Sequence, residues 1–222
     1  MTKIINLLVV LLPWCLKYRV LNKFYKYDIH PAARIGLSYV FPKYLKMEEG
    51  AMIGHLNVII YLDKVTIGRN SLITRSNWIT GFETGSDSQH FAHDTTRSSA
   101  LIMGAESCIT KGHHLDCTST VTIGNYVSIG GYSSQIMSHS IDIYDCRQDS
   151  HPITIGDYCF VSTGVKILGG STLPPYSALG AGAVLAKSYS EPWMLYGGVP
   201  AKPIKAIPKE AKYFSRTSGF VY

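Results

Sequence analysis

From Ile155 onward an apolar residue returns at every sixth position: Ile155, Val161, Ile167, Leu173, Leu179 and Leu185. Four positions after each lies a second column, Cys159, Val165, Ser171, Ser177, Ala183 and Tyr189, small in all but the last. The same period runs through Ile29, Ile35, Phe41, Met47, Ile53 and Ile59, then Ile67, Ile73 and Ile79. A third block holds Met103, Ile109, Leu115 and Val121, slips by two residues, and resumes at Ile123 and Ile129. Six is neither a helical nor a long-strand period. It fits short strands joined by tight corners, each strand sending one side chain into a narrow prism. Such coils bury their apolar groups only by stacking on one another. Gly directly follows the periodic residue at Gly36, Gly54, Gly68, Gly104, Gly124, Gly130, Gly156 and Gly180, where it is expected to supply the backbone freedom of a corner.

The expected fold is all-β, a parallel β-solenoid over residues 29–207, with a helical cap at 1–28 and a tail at 208–222. Two stretches break the period. Residues 80–100 include His90, His93 and Asp94, and residues 138–152 include His139, Asp142, Asp145, Arg147, Asp149 and His151. Insertions in a solenoid become loops on its faces and often carry binding, so titratable residues crowding there mark the place to look for function. In the cap, Ile4–Leu12 is apolar apart from Asn6 and is followed by Pro13, Trp14 and the basic Lys17, Arg19, Lys23 and Lys26. No small-residue cleavage site follows it, and the apolar part is too short to span a bilayer. Residues 3–26 are expected as one helix or two broken near Pro13, packed on the prism. Peripheral contact with a membrane is the second reading of this greasy, basic segment.

Composition sharpens the picture. Of the 222 residues 46% are hydrophobic and only 16% charged, which excludes a disordered chain. No apolar run of about 18 residues appears, which excludes a multi-span membrane protein. The five cysteines show no metal-finger or paired spacing, which suits a reducing, cytoplasmic compartment, with the inner face of the membrane as the surface the cap would reach. The formal charge of +6 invites an anionic partner, yet the basic residues are scattered and match no nucleic-acid-binding pattern, so no nucleic acid is expected.

The stretches Ile153-Thr154-Ile155-Gly156-Asp157, Leu179-Gly180-Ala181-Gly182-Ala183-Val184 and Tyr196-Gly197-Gly198-Val199-Pro200-Ala201-Lys202 resemble the hexapeptide-repeat acyltransferases. The whole chain is similar to the O-acetyltransferases encoded with bacterial capsule, O-antigen or colanic-acid assembly enzymes. The resemblance implies a left-handed parallel β-helix, a homotrimer with active sites between adjacent prisms, and acetyl-CoA as donor. It implies O-acetyl transfer to a hydroxyl of a sugar or lipid-linked glycan, in surface polysaccharide biosynthesis, with no resident metal.

Transfer from a thioester to a hydroxyl needs a base for the acceptor proton, and imidazole suits that task. In the resembled family the base is a His opening the loop before an I-T-I-G coil, a position matched here by His139. The residues agree, since His139 leaves the coil at its edge. Asp142 or Asp145 could orient its ring. His114 and Asp116 flank inward Leu115 and should point outward, where the family binds its acceptor, and Trp78 could stack on a sugar. On the donor side Thr163, Gly180, Ala181 and Gly182 match positions along the pantetheine arm. Phe160 stands where relatives often carry Trp, and Lys187 and Lys202, with Lys205 beside them, match cationic positions near the nucleotide. Two other classes remain open: a trimeric zinc protein like the prism-shaped carbonic anhydrases, using His113, His114 and His139, and a non-catalytic glycan-binding solenoid.

Overall fold

In the computed structural model the described residues are 3–86 and 88–221; Met1, Thr2, Asp87 and Tyr222, which fall in the expected cap, first loop and tail, lie outside them. The periodic residues stack in register from coil to coil. Ile35 pairs with Ile53, Ile53 with Ile73, Ile73 with Ile109, Ile109 with Ile129, Ile129 with Val161 and Val161 with Leu179, all in parallel. Three sheets of seven, nine and seven strands result, one for each wall of a triangular prism, and the periodic side chains form its dry interior. Strand Met194–Gly197 closes the nine-stranded wall, with Lys202–Ala206 folded back antiparallel on it.

Two features of the periodicity take a different form from the one expected. Between its short first and last strands, the wall that begins with strand Asp28–Ile29 uses longer strands that bury at least two residues each, such as Leu45 with Met47, Val65 with Ile67 and Val121 with Ile123. The two-residue slip between Val121 and Ile123 is therefore one strand counted twice. Phe41 is not inward. Val40 takes the interior position, and Phe41 faces out against Tyr39 and Tyr25, with ring centroids 4.8 and 5.3 Å away.

The glycines are also corrected. None of the eight that follow a periodic residue has a positive φ. Their reason is close approach: a Cβ at Gly54 would sit 1.9 Å from the Thr74 carbonyl oxygen, and one at Gly104 would sit 2.7 Å from the Gly124 carbonyl carbon. At six of the eight, the left-handed corner conformation falls two residues later, on Leu56, Asn70, Glu106, Tyr126, Tyr158 and Gly182. Tyr126, Tyr158, Tyr176 and Trp193, with φ between 55° and 63°, form one column of such corners. Left-handed backbone costs about 1–2 kcal/mol per non-glycine residue. Here successive rings stack with centroids 4.6, 5.3 and 4.5 Å apart, a gain of about 0.5–1.5 kcal/mol per pair that offsets much of it.

The cap is two helices, α1 (Lys3–Leu11) and α2 (Trp14–Phe24), separated at Pro13. Lys17 is buried and its Nζ donates to the Gly36 carbonyl at 3.0 Å, burial lowering its pKa. At the other end the tail is strapped to the nine-stranded wall. Tyr213 donates its hydroxyl proton to the Cys159 carbonyl at 3.0 Å, and the Gly219 amide donates to Glu106 at 2.8 Å. The segment 138–152 projects as an antiparallel hairpin, His139–Asp142 against Arg147–Ser150, with Ile143 and Tyr144 exposed at its tip.

Candidate functional site

Strand His114–Asp116 and strand Gln135–Met137 are adjacent in one wall, with Asp116 paired to Met137. The chain then passes buried Ser138 and starts the hairpin at His139, so the hairpin root lies against the end of Asp116's strand. Asp116 Oδ2 accepts the ring Nδ1–H of His139 at 2.7 Å, the backbone N–H of His139 at 3.0 Å and the hydroxyl of Ser138 at 3.1 Å. Its other oxygen accepts the Thr118 hydroxyl at 2.7 Å and the Thr118 N–H at 3.3 Å.

The electrostatics follow from this arrangement. Burial alone would raise the Asp116 carboxyl, but the hydrogen bonds from His139 and Thr118 and the nearby imidazole outweigh it, leaving the pKa below the ordinary carboxylate value. The hydrogen bond to Asp116 raises His139 above its ordinary 6.5, assisted by the carboxylate charge and opposed by burial and Arg97. An ionised carboxylate only accepts, so Nδ1 carries the proton and Nε2 of the neutral ring has a free lone pair.

The His139 side chain remains 37% exposed, against 11% for Asp116. It faces a 260 Å³ cavity lined also by Thr80, Phe82, His90, Phe91, Thr118 and Gln148. Most of that lining comes from the first insertion. Phe91 meets the His139 ring edge-on at 6.0 Å, and the Arg97 guanidinium lies 4.6 Å from the Phe91 ring. Arg97 donates to the carbonyls of Phe82 and of Thr118, the latter at 2.7 Å, which ties the insertion to the segment carrying Asp116. A neutral imidazole held by an ionised carboxylate, with its free nitrogen toward a half-enclosed, aromatic-walled cavity, has the equipment for general-base chemistry on a hydroxyl.

The orienting carboxylate is Asp116, not Asp142 or Asp145. Asp142 accepts the backbone N–H groups of Tyr144 and Asp145 at the hairpin turn, and Asp145 pairs with Arg147 at 3.0 Å. His114 and Trp78 are paired neighbours on the exposed face of the same wall, outside the cavity lining. His113 is fully buried, with Nε2 3.0 Å from the Thr110 hydroxyl and Nδ1 accepting the Ser134 N–H at 3.2 Å. Both nitrogens are used, so it cannot join His114 and His139 around a zinc ion. Among the described residues no three His, Cys, Asp or Glu side chains gather as a metal site.

The residues expected to hold the donor lie elsewhere. Phe160 stands on strand Phe160–Val161 of the nine-stranded wall, against Tyr213 at 6.0 Å. Thr163 occupies the next corner, and its carbonyl accepts the Gly182 N–H at 3.0 Å, so Thr163 and the Gly180–Gly182 turn stack on consecutive coils. Lys187 lies exposed with its ammonium 4.9 Å from the Tyr189 ring, and Lys202 is exposed on the final hairpin. The edge formed by Thr163 and the Gly180–Gly182 turn and the edge carrying His139 bound opposite sides of the wall that contains His114, and Lys187, which follows strand Val184–Leu185, lies on the His139 side. Sequence reasoning also passed over Arg97, Phe82, Phe91 and Gln148. The signal for them was their position in the two insertions, without which the coils have no cavity wall.

No family model matches the chain. A protein of Schizosaccharomyces pombe whose name proposes it as an acetyltransferase is 37% identical over 95 residues, 40% of this chain and 45% of that protein. The match thus spans less than half the length of that curated relative. Among solved structures, a hexapeptide-repeat containing acetyltransferase of Vibrio cholerae aligns with TM-score 0.53 and 22% identity over 64% of this chain and 74% of that one. The polySia-specific acetyltransferase NeuO gives TM-score 0.59 and 20% identity, over 84% of this chain and 85% of that one. The polysialic acid O-acetyltransferase OatWY gives 0.52 and 16%, over 86% and 90%. These likenesses show the fold, which is the left-handed parallel β-helix of hexapeptide-repeat proteins.

Proposed function

We propose that the protein transfers an acetyl group from acetyl-CoA to a hydroxyl of a sugar or lipid-linked glycan, with His139 as general base. The observation that carries this reading is the Asp116–His139 pair, with Nδ1 held at 2.7 Å and the ring exposed to the cavity. Nε2 takes the acceptor's hydroxyl proton as its oxygen attacks the thioester carbonyl. The tetrahedral adduct then collapses, the C–S bond breaks, and the leaving thiolate takes the proton back from the imidazolium. Asp116 holds the ring orientation and stabilises the imidazolium between those two transfers.

The donor edge and the His139 edge sit on opposite sides of one wall, which favours a site completed between protomers. In a homotrimer the Phe160, Thr163, Gly180–Gly182 edge of one prism would face the His139 edge of the next, and the apolar hairpin tip at Ile143 and Tyr144 would be covered. Lys202, exposed on the final hairpin, and Lys187, exposed at the corner after strand Val184–Leu185, suit the nucleotide phosphates of the donor bound between prisms. Two structural neighbours are acetyltransferases of polysialic acid by name, which supports a glycan acceptor, and a role in surface polysaccharide biosynthesis belongs to the same proposal. Mass spectrometry after incubation with acetyl-CoA and a panel of sugars and lipid-linked glycans tests it. A mass gain of one acetyl group on an acceptor, absent with His139→Ala, is expected. Glycan binding without any acetyl-CoA turnover would instead support the non-catalytic solenoid.

A further inference from the structure

The cap is built inside out. α1 docks on the prism through its polar residue: Asn6 donates to the Tyr39 hydroxyl at 3.3 Å and accepts from the Tyr25 hydroxyl at 2.7 Å, with buried Val9 beside it. Ile4, Leu7, Leu8 and Leu11 follow the spacing of one helical face and are turned to solvent, 57–71% exposed. Leu16 and Phe24 on α2 are exposed as well. An ordinary surface helix does the reverse, burying its apolar stripe. Charge marks the same segment. Residues 1–27 hold Lys3, Lys17, Arg19, Lys23 and Lys26 and no Asp or Glu, so they carry five of the chain's six excess positive charges. Lys17 is spent inside on Gly36, while Lys3, Arg19, Lys23 and Lys26 are exposed.

We infer that the cap is a membrane-surface anchor, with the α1 stripe lying in the interface of a bilayer rich in anionic lipid and the cations of the cap meeting its headgroups. The combination of an unpartnered leucine-rich face and an all-basic charge set selects this occupant. A second copy of the chain would bring the same positive charge to the contact and repel it, whereas anionic headgroups complement it. Among the described residues no helix is long and apolar enough to cross a membrane, so the attachment is peripheral. The docked geometry also leaves Asn6, Val9 and the Tyr25 and Tyr39 hydroxyls on the prism undisturbed.

The test is co-sedimentation of the full chain with vesicles of phosphatidylcholine alone or mixed with phosphatidylglycerol, without acetyl donor, so the outcome is independent of the proposed activity. Partition onto the mixed vesicles, weakened by salt, is expected. Leu7→Asp/Leu8→Asp, both on exposed positions, should reduce partition on the order of 100-fold or more. Arg19→Gln/Lys23→Gln/Lys26→Gln should reduce it on the order of 100-fold, at about fivefold per basic residue. Wild-type protein left in the supernatant, or undiminished partition of Leu7→Asp/Leu8→Asp, overturns the inference. So does light scattering in which Leu7→Asp/Leu8→Asp has a lower mass than wild type, which would make the stripe an interface between copies.

Discussion

A single oxygen of Asp116 accepts both the ring Nδ1–H of His139 and the same residue's backbone N–H, at 2.7 and 3.0 Å. The two residues are 23 positions apart, and this double grip fixes the imidazole by its root and by its ring. Asp116→Asn keeps the shape but replaces the carboxylate by a neutral amide, which stabilises the imidazolium less. Steady-state kinetics should show kcat lower by about 10²-fold or more for Asp116→Asn and for His139→Ala. The acceptor KM should change little. Near-full kcat in His139→Ala removes His139 from the role of base, and near-full kcat in Asp116→Asn removes Asp116 from the role of its partner.

The pH profile reports the same pair. In the proposed mechanism His139 acts as base only with Nε2 unprotonated, and the hydrogen bond to Asp116 raises its pKa above the ordinary 6.5. Activity should therefore climb through an acidic limb set above pH 6.5, and Asp116→Asn should move that limb to lower pH. Stability has its own signs. The raised His139 pKa contributes stability below 6.5 that fades as pH rises through the folded value. The lowered Asp116 pKa contributes above the ordinary carboxylate range and fades as pH falls through its folded value. Kinetics across pH 5.5 to 9 measures the limb, and an unmoved limb in Asp116→Asn contradicts the linkage.

The prism was legible because Ile35, Ile53, Ile73 and their successors repeat a steric requirement at a fixed spacing, and each is buried. The glycines were legible in position and not in cause: no spacing distinguishes a residue needing φ above zero from one whose Cβ would strike the next coil. Phe41 was misread because aromatic and aliphatic residues both satisfy an apolar period, while only Val40 fits the narrow interior. His139 could be singled out as the residue that opens an insertion. Its partner could not, since Asp116 reaches it only through a coil-to-coil contact, and nearer carboxylates at Asp142 and Asp145 compete on sequence distance alone.

His113 gives a separate, purely structural prediction. Asn77 accepts the His113 N–H at 2.9 Å, as Asn57 accepts that of Asn77 at 3.0 Å, and His113 passes the ladder on to the Ser134 N–H. Burial lowers its pKa from 6.5 to about 4, so it stays neutral where an unfolded chain would protonate. Stability should therefore fall as pH drops from 6.5 toward 4, by roughly 3 kcal/mol in total from this residue. His113→Asn preserves an acceptor for Ser134 and should flatten that part of the profile. Urea denaturation at pH 7 and pH 4.5 compares the two proteins, and an equal acid loss in both contradicts the assignment.

Arg97 is a positioning residue. It bridges the first insertion to Thr118, whose hydroxyl in turn holds Asp116, and its charge presses the His139 pKa downward. Arg97→Met keeps bulk against Phe91 and removes both the hydrogen bonds and the charge. The acceptor KM should rise about tenfold, the loss expected for hydrogen bonds to a charged group, with a smaller fall in kcat. The acidic limb should move to higher pH. Lower thermal stability with neither the KM change nor the limb shift would leave Arg97 a structural brace only.

The last prediction concerns which edges make one site. His139→Ala removes the proposed base but leaves the proposed donor edge intact, while Ala181→Glu places a charge at an exposed position of that edge and leaves Asp116 and His139 intact. Each variant alone should be nearly inactive. If the site forms between protomers, trimers mixed at random from the two variants contain interfaces that join a wild-type His139 edge to a wild-type donor edge. Each mixed trimer, of either composition, has one such interface among its three, so the purified mixed species should recover about a third of wild-type activity. Co-expression with two different affinity tags and tandem purification isolates the mixed species. Mixed trimers as inactive as either parent would place both edges' work within one protomer.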